Sequence, residues 1–300
     1  MSKYKIITFD GGGIRGALSV SLFLRLTKYF PQLISETDMF SGTSTGSFIA
    51  LTLAHGLPVE ELVNLYTEKK AKYVFSQKHL FLFKPKYSNK HLRNVLQSVF
   101  PVNLRLRDLK HHVVIPSFLV DGGSSSRWEP VMFNNLPGSS TRNERVIDVA
   151  LASSAAPVYF PSYQNFIDGG VIANNPSLAA LSAAVDRRSG RQKLENVFLL
   201  SIGNGYAPQK IPKGTHGWGA MQWTIGPNPS LPLLSILFEG DVEADTLFTS
   251  QILANQYYRL NPQVKDVIQL DDYTRIPELL KLAKGYDLNE VVSWLEKNWF

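Results

Sequence analysis

Residues 40–48 read FSGTSTGSF. A strand candidate at Asp38–Ser41 precedes the central serine, and the helix-like SFIALTLAHG follows it, so this stretch predicts a sharp turn from a strand into a helix. Gly42–Gly46 has the form G-x-S-x-G, in which two glycines permit the turn and keep side chains away from Ser44. The pattern predicts a nucleophilic serine, and a serine in a purely structural turn is the alternative that the motif alone leaves open.

A second strand-to-helix turn lies at the N-terminus, where KIITF (Lys5–Phe9) runs into DGGGIRG (Asp10–Gly16). Its glycines satisfy G-x-G-x-x-G, and Glu36 and Asp38 lie about where a ribose-binding acid is expected, which favours a dinucleotide site. Successive glycine N–H groups at a helix start could equally bind the oxyanion of an acyl-transfer intermediate, with Arg15 adding positive charge nearby. A dinucleotide site gives no reason for the second turn at Ser44.

A nucleophilic serine needs a base, and the sequence offers one strong candidate. Asp168 ends a strand candidate at Gln164–Asp168 and is followed by two glycines, so its carboxylate could approach Ser44 directly. His216 is the only histidine that follows the later acid candidates, and its flexible GTHGWG context predicts a loop histidine rather than a triad member. Asp121 precedes GGSSSR and reads as a hairpin-turn residue.

Composition limits the class of protein. The 300 residues are 44% apolar, enough for a substantial core, and the net charge of +6 fits solubility, an anionic membrane surface or nucleic acid about equally well. No cysteine is present, which excludes disulfides, a thiol nucleophile and zinc sites built from cysteine. The absence of a signal-peptide pattern and of a long apolar run favours a cytoplasmic protein that meets a membrane only peripherally. Zinc-finger spacing and basic stretches with interleaved aromatic residues are lacking, so no nucleic-acid partner is expected.

Strand candidates alternate with helix candidates along the chain. This order favours an α/β fold with a mostly parallel sheet covered on both faces. We expect one amphipathic helix over VEELVNLYTEKKAKYVF after Pro58, and one strand, Val264–Leu270, in an otherwise helical C-terminal part. The prediction is a single domain over 1–300, with a motif-bearing core at 1–205 and a mostly helical extension at 206–300.

Taken together, these motifs resemble the patatin-like phospholipases. The resemblance rests on DGGGIRG at Asp10–Gly16, GTSTG at Gly42–Gly46, and DGG at Asp168–Gly170 followed by ANNP. ASSAAPVYFP at Ala152–Pro161 is also similar to the run before the family's aspartate. One departure is Ser47, where many members have a further glycine. The match covers roughly the first two-thirds of the chain, and three motifs in the family's order are far more specific than any one of them.

The resemblance implies a three-layer α/β/α fold and a Ser–Asp dyad without histidine. By position, Ser44 is the implied nucleophile and Asp168 the implied general base. The implied oxyanion-hole donors are the N–H groups of Gly11, Gly12 and Gly13, and Arg15 is the associated basic residue. The implied activity is hydrolysis of lipid acyl esters through an acyl-serine intermediate, without metal or cofactor. The substrate would be a phospholipid or another acyl ester, and whether an activator is needed stays open.

The stretch Val74–Tyr87, VFSQKHLFLFKPKY, alternates bulky apolar residues with lysines. One reading is an interfacial patch that inserts Leu and Phe into a bilayer while lysines meet anionic lipid. The other reading is a buried connection whose lysines extend to solvent. For the whole chain, the alternatives to a lipid acyl hydrolase are a nucleotide- or dinucleotide-binding enzyme and a lipid-binding module without activity.

Overall fold

The computed structural model describes residues 3–76, 79–80, 83–121, 127–211, 214–226, 229 and 231–300. Within these ranges seven strands form one sheet in the order β4-β3-β2-β1-β6-β7, and β5 also pairs with β3. The strands are β1 (Tyr4–Phe9), β2 (Met39–Gly42), β3 (His112–Leu119), β4 (Glu129–Asn134), β5 (Phe166–Asp168), β6 (Val197–Ile202) and β7 (Tyr257–Leu260).

Most neighbouring strands are parallel, as predicted. The pairs β1–β2, β1–β6, β2–β3 and β6–β7 run parallel, whereas β4 and β5 each run antiparallel to β3. Phe9 is in register with Gly42, so the glycine-rich loop after β1 and the serine turn after β2 leave the sheet side by side. Ligands of open parallel sheets bind at these carboxyl ends, and the fold therefore brings the two sequence motifs together.

Helices cover both faces of the sheet. They are α1 (Gly16–Tyr29), α2 (Thr45–His55), α3 (Val59–Leu65), α4 (Glu68–Val74), α5 (Asn89–Gln97), α6 (Val146–Ser153), α7 (Gly170–Ala173), α8 (Ser177–Val185), α9 (Ala220–Thr224), α10 (Pro232–Leu253), α11 (Ile276–Gly285) and α12 (Asn289–Asn298). In the described residues, no helix combines the length and apolar character needed to cross a membrane.

Strand β1 shows why three layers form. Its side chains alternate between the two faces of the sheet. Ile7 and Phe9 belong to a large core cluster that includes residues of α1, α2, α6 and α11, whereas Tyr4 and Ile6 belong to a smaller cluster on the other face that includes residues of α8. All four are buried. The three-layer α/β/α architecture predicted from the sequence is confirmed.

The single helix predicted after Pro58 is wrong. The chain forms two short helices there, α3 and α4, which are separated at Tyr66 and Thr67. The Thr67 side chain accepts a hydrogen bond from the Lys70 N–H and so caps α4. The buried Tyr66 hydroxyl donates to the Thr45 carbonyl oxygen at 2.7 Å. Tertiary contact and a local cap together end the first helix, although the amphipathic pattern continues through the break.

The strand predicted at Val264–Leu270 is also wrong. The sheet instead takes its last strand from β7, where Leu199 of β6 is in register with Tyr257. Val264 and Ile268 are still buried in the core, but in irregular backbone. Because 206–300 contributes both a sheet strand and core residues, we propose that 1–300 forms one domain, as the sequence suggested.

Candidate active site

The serine turn is built from strained backbone and close packing. Ser44 has φ 52° and ψ −121°, a conformation that a non-glycine residue adopts at an energetic cost, and α2 begins at the next residue. A Cβ atom on Gly42 would overlap the Gly46 carbonyl, so the two glycines are needed for the chain to turn this sharply. The turn holds the Ser44 side chain at the surface of two adjoining pockets.

Asp168 lies beside Ser44, at the end of β5. Its side chain is 2% exposed, and its Oδ1 accepts the Gly170 N–H at 2.7 Å. Burial raises the pKa of Asp168 from 3.8 to about 7, while hydrogen bonds from the Gly170 N–H and the Ser44 hydroxyl partly offset this effect. The carboxylate is therefore within hydrogen-bonding reach of the serine and titrates near neutral pH.

Ser153, at the end of α6, links the two residues and was missed in the sequence. The Ser44 N–H donates to Ser153 Oγ at 3.0 Å, and the Gly169 N–H donates to the Ser153 carbonyl at 3.1 Å. The Asp168 N–H donates to the carbonyl of Ala155 at 3.0 Å. One short segment thus holds the backbone of both Ser44 and Asp168. The small residues of ASSAAP are the only signal that could have indicated it.

The glycine-rich loop offers two free N–H groups rather than three. The Gly11 N–H donates to the Asn174 carbonyl at 2.9 Å, so it is already engaged. The N–H groups of Gly12 and Gly13 donate no hydrogen bond to any residue in the described ranges. The next N–H, that of Ile14, donates to the Leu270 carbonyl at 2.9 Å. Leu270, from the segment mispredicted as a strand, thus fixes the end of the loop.

Arg15 is buried and is held by protein groups. Its guanidinium donates to the Gly205 carbonyl at 3.4 Å and to Glu239 Oε1, on α10, at 3.2 Å. It also lines the small pocket that contains Ser44 and Asp168. The predicted basic residue is therefore beside the site, and its charge is partly balanced by Glu239.

Helix α10 braces the site from the C-terminal part of the chain. Phe238 lines the small pocket, and its carbonyl accepts a hydrogen bond from the Asn174 side-chain amide at 3.3 Å. The Asp241 carboxylate accepts the backbone N–H of Asn174. Since Asn174 also receives the Gly11 N–H, α10 is linked through one residue to the glycine-rich loop. No sequence motif indicates this helix.

A buried ion pair supports the loop from beneath. Arg259 of β7 donates to both carboxylate oxygens of Asp10, at 2.7 and 2.5 Å, and also to Ser201 Oγ at 2.8 Å. The Asp10 side chain is 3% exposed and that of Arg259 13% exposed. A bidentate pair in this position fixes the first residue of the glycine-rich motif to the edge of the sheet.

Two cavities meet at Ser44. The smaller one, about 220 Å³, contains Ser44, Asp168, Gly12 and Asn174. The larger one encloses about 800 Å³, including its open mouth, and its wall is almost entirely apolar. Side chains on α2, α4 and α5 contribute much of this wall, among them Phe48, Ala71, Val74, Leu92 and Leu96. The smaller cavity, which contains Ser44 and Asp168, thus adjoins a larger apolar cavity at Ser44 and Leu270.

The other candidates lie away from these cavities. Among the described residues that line the two cavities, none is a histidine, and His216 is exposed in a turn, as the sequence suggested. Asp121 follows β3 in the predicted hairpin, of which 122–126 lie outside the described residues. Glu36 pairs with the Lys5 side chain at 2.7 Å, and Asp38 accepts the Lys5 N–H at 2.7 Å. Both acids lie at the start of β1 and β2, opposite the loop, so neither of the two predicted acids is placed to bind a ribose at the glycine-rich loop.

Comparison with known proteins shows which family this chain resembles. The profile of the family described as "Patatin-like phospholipase" matches residues 7–181. Protein teg of Priestia megaterium is 37% identical over 100% of both chains. The protein named CotR of Bacillus subtilis is 36% identical over 100% of this chain and 99% of its own length. A cGAMP-activated phospholipase of Pseudomonas aeruginosa is 28% identical over 89% of this chain and 82% of its own.

Proposed function

The chain belongs to the patatin-like phospholipase family, and on that premise we propose that it hydrolyses fatty-acyl esters of phospholipids or related lipids with Ser44 as nucleophile and Asp168 as general base. Family membership supports lipid hydrolase activity in general. The assignment of Ser44 and Asp168 rests chiefly on one observation, the contact between the Ser44 hydroxyl, which lines the apolar cavity, and the buried Asp168 carboxylate.

The proposed reaction has two halves. Asp168 takes the proton of Ser44 while Oγ attacks the ester carbonyl, and the free N–H groups of Gly12 and Gly13 stabilise the oxyanion. Collapse of this intermediate breaks the ester bond, and the alcohol leaves with the proton from Asp168. Water, deprotonated by Asp168, then attacks the acyl-serine, and Asp168 returns this proton to Ser44 Oγ as the fatty acid is released. A base with a pKa of about 7 suits proton transfer near neutral pH.

The other predicted residues have supporting roles in this proposal. The Gly11 N–H is already engaged by the Asn174 carbonyl. The role of Gly11 is steric, because a Cβ atom at this position would lie 3.3 Å from Ser44 Cβ and would overlap the Asn174 side chain. Arg15 holds the loop to α10 and keeps positive charge beside the developing oxyanion. The oxyanion donors are therefore two N–H groups and not the three implied by the resemblance.

The apolar cavity is the proposed site for the acyl chain. Burial of each methylene group contributes about 0.8 kcal/mol, so a long chain gains substantial binding energy from a wall of Leu, Val and Phe side chains. The wall includes the side chains of Leu92 and Leu96 on α5 and of Ala71 on α4. This binding energy positions the ester at Ser44.

We further propose that the chain meets the membrane through the loop between α4 and α5. Leu80 is 65% exposed and Phe83 is 83% exposed, and the exposed Lys84 follows them. Val74 and Tyr87, at the two ends of the stretch, are buried, so the loop is anchored on both sides. Gln77, Lys78, Phe81 and Leu82 of the same stretch lie outside the described residues. Exposed apolar groups beside lysine suit an anionic lipid surface.

The decisive experiment measures fatty-acid release from mixed phospholipid vesicles, with a chelator present. Wild type, Ser44→Ala, Asp168→Asn and the exposed-site control His216→Ala are compared, and folding of each is checked by circular dichroism. We expect release by wild type and by His216→Ala only. Retention of activity in Asp168→Asn would refute the proposed base. A parallel arm of the same assay contains cGAMP. Vesicle binding without fatty-acid release in both arms would favour a lipid-binding module.

Binding to the membrane is tested separately. Phe83→Ser is expected to weaken sedimentation with vesicles while leaving hydrolysis of a short, soluble ester unchanged, because the residue is exposed and not part of either cavity. Tyr29→Ser, at an exposed aromatic residue 56% accessible on α1, is the control. Equal loss of vesicle binding in both variants, or in neither, would argue against this loop as the contact.

A further inference from the structure

The outer face of α10 is apolar and exposed along most of the helix. Residues spaced by three and four positions fall on one side of a helix, and the exposed positions of α10 follow that spacing. Their side chains are 45–52% exposed: Leu233, Ile236, Leu237, Leu247 and Phe248. The helix has 22 residues and is about 33 Å long, and an exposed apolar face along much of it is unusual on a surface that no partner covers.

The middle of the face, from Ile236 to Phe248, is symmetric about residue 242. Leu237 and Leu247 lie five positions to either side of this centre, and Ile236 and Phe248 lie six positions to either side. The central positions on the same face are small, with Gly240 and Ala244 two positions to either side. A Cβ atom on Gly240 would meet no other atom within 4 Å. A helix with this pattern is complementary to an antiparallel copy of itself, whose small residues allow close approach at the crossing point.

The charges of α10 do not suit an anionic bilayer. Helices that lie on membranes usually carry Lys and Arg on their polar face. Pro232–Leu253 contains neither residue, and the exposed Glu243 lies at the flank of the apolar face. Lysine is found instead at the α4–α5 loop, which we assign to lipid. The two exposed apolar surfaces therefore differ in chemistry and suit different partners.

We propose that α10 pairs with α10 of a second copy of this chain, antiparallel and around a two-fold axis at residue 242. Such an isologous contact uses the same face on both subunits and closes as a dimer. Two helices of this length form an interface at the small end of the range for specific complexes, so a dissociation constant on the order of micromolar is expected. The inner side of the same helix carries Phe238, Glu239 and Asp241 to the site. If the proposed function holds, the dimer also fixes the helix that braces the glycine-rich loop.

Cysteine cross-linking tests the register directly, because the chain has no cysteine of its own. Antiparallel pairing around residue 242 places position 237 of one copy opposite position 247 of the other. The double variant Leu237→Cys/Leu247→Cys is expected to give a covalent dimer on oxidation. Either single variant is not, since like positions would be separated by about 15 Å along the axis, beyond the reach of a disulfide. Positions 237 and 247 of one helix are also about 15 Å apart, so the two cysteines of one chain cannot form a disulfide with each other.

Sedimentation equilibrium from about 1 to about 100 µM, around the expected dissociation constant, supplies an independent measurement. Wild type is expected to approach twice the monomer mass, and Gly240→Arg is expected to stay monomeric with an undiminished Tm, because its side chain has open space in the monomer. Gly285→Arg, at an exposed glycine of α11 that is also free of close contacts, is the control and is expected to dimerise.

Neither measurement depends on hydrolysis, so these experiments test the helix pairing independently of the proposed activity. A wild type that is monomeric throughout the range would overturn the proposal. Efficient cross-linking of a single variant, or a dimer that survives Gly240→Arg, would overturn the register. Monomeric wild type that floats with phosphatidylglycerol vesicles, with flotation lost in Gly240→Arg, would assign the face to a bilayer instead.

Discussion

Replacing Asp168 by asparagine is expected to abolish activity and to stabilise the fold. The buried carboxyl has a pKa of about 7 against 3.8 for the unperturbed group, and a difference of three pKa units corresponds to about 4 kcal/mol. Because the pKa is raised in the folded state, ionisation favours the unfolded chain. The cost is absent below about pH 4, increases between about pH 4 and 7, and is complete above pH 7. Asparagine is nearly isosteric, can still accept the Gly170 N–H, and never carries this charge.

Urea unfolding of wild type and Asp168→Asn at pH 4.5, 6, 7.5 and 9 measures this effect. We expect a variant more stable by about 2–4 kcal/mol at the two higher pH values, and a difference of only about 1 kcal/mol at pH 4.5. Asp266→Asn, at an exposed carboxylate, is the control and should lack the large gain expected for Asp168→Asn at high pH. A gain that is constant with pH, or a loss at pH 9, would refute the reasoning that burial of the charge is what raises the pKa.

Three further predictions concern the surroundings of the site. Ser153→Ala leaves the Ser44 N–H without an acceptor, so kcat should fall about 10–100-fold with KM little changed. The control Ser154→Ala, which removes a bond to the helix carbonyl of Ala150, should leave kcat within about twofold. Equal losses of kcat in both variants would contradict a specific role of Ser153. Gly12→Ala would place a Cβ against Asn204, so steady-state kinetics should show kcat/KM reduced by about 100-fold or more; near-wild-type kinetics would exclude this loop as the oxyanion site. Ala71→Leu narrows the apolar cavity and should shift competitive assays toward shorter acyl chains while short esters react normally; an unchanged chain-length profile would place the acyl chain elsewhere.

The positions of the two turns could be predicted because their requirements are local. Gly42–Gly46 and Asp10–Gly16 each combine a strand, glycines and a helix start within a few residues, and the structure has both turns where the sequence indicated. The alternation of strands and helices likewise predicted a mostly parallel sheet, whose geometry then brings the two turns to the same edge. Asp168 was identified from the same kind of local signal, a strand end followed by glycines.

The remaining features depend on contacts between residues far apart in the chain. Asn174 engages the Gly11 N–H, Leu270 binds Ile14, and Ser153 holds Ser44 across 109 positions. The first two are backbone hydrogen bonds that any residue type can make, and the third needs a serine hydroxyl whose position beside Ser44 no spacing in the sequence indicates. The sequence by itself determined that the sheet is mostly parallel and which two turns lie at its carboxyl edge, because propensity and turn chemistry act over a few residues. Only the tertiary structure decided which N–H groups remain free and how burial raises the pKa of Asp168, because both depend on what packs against the site.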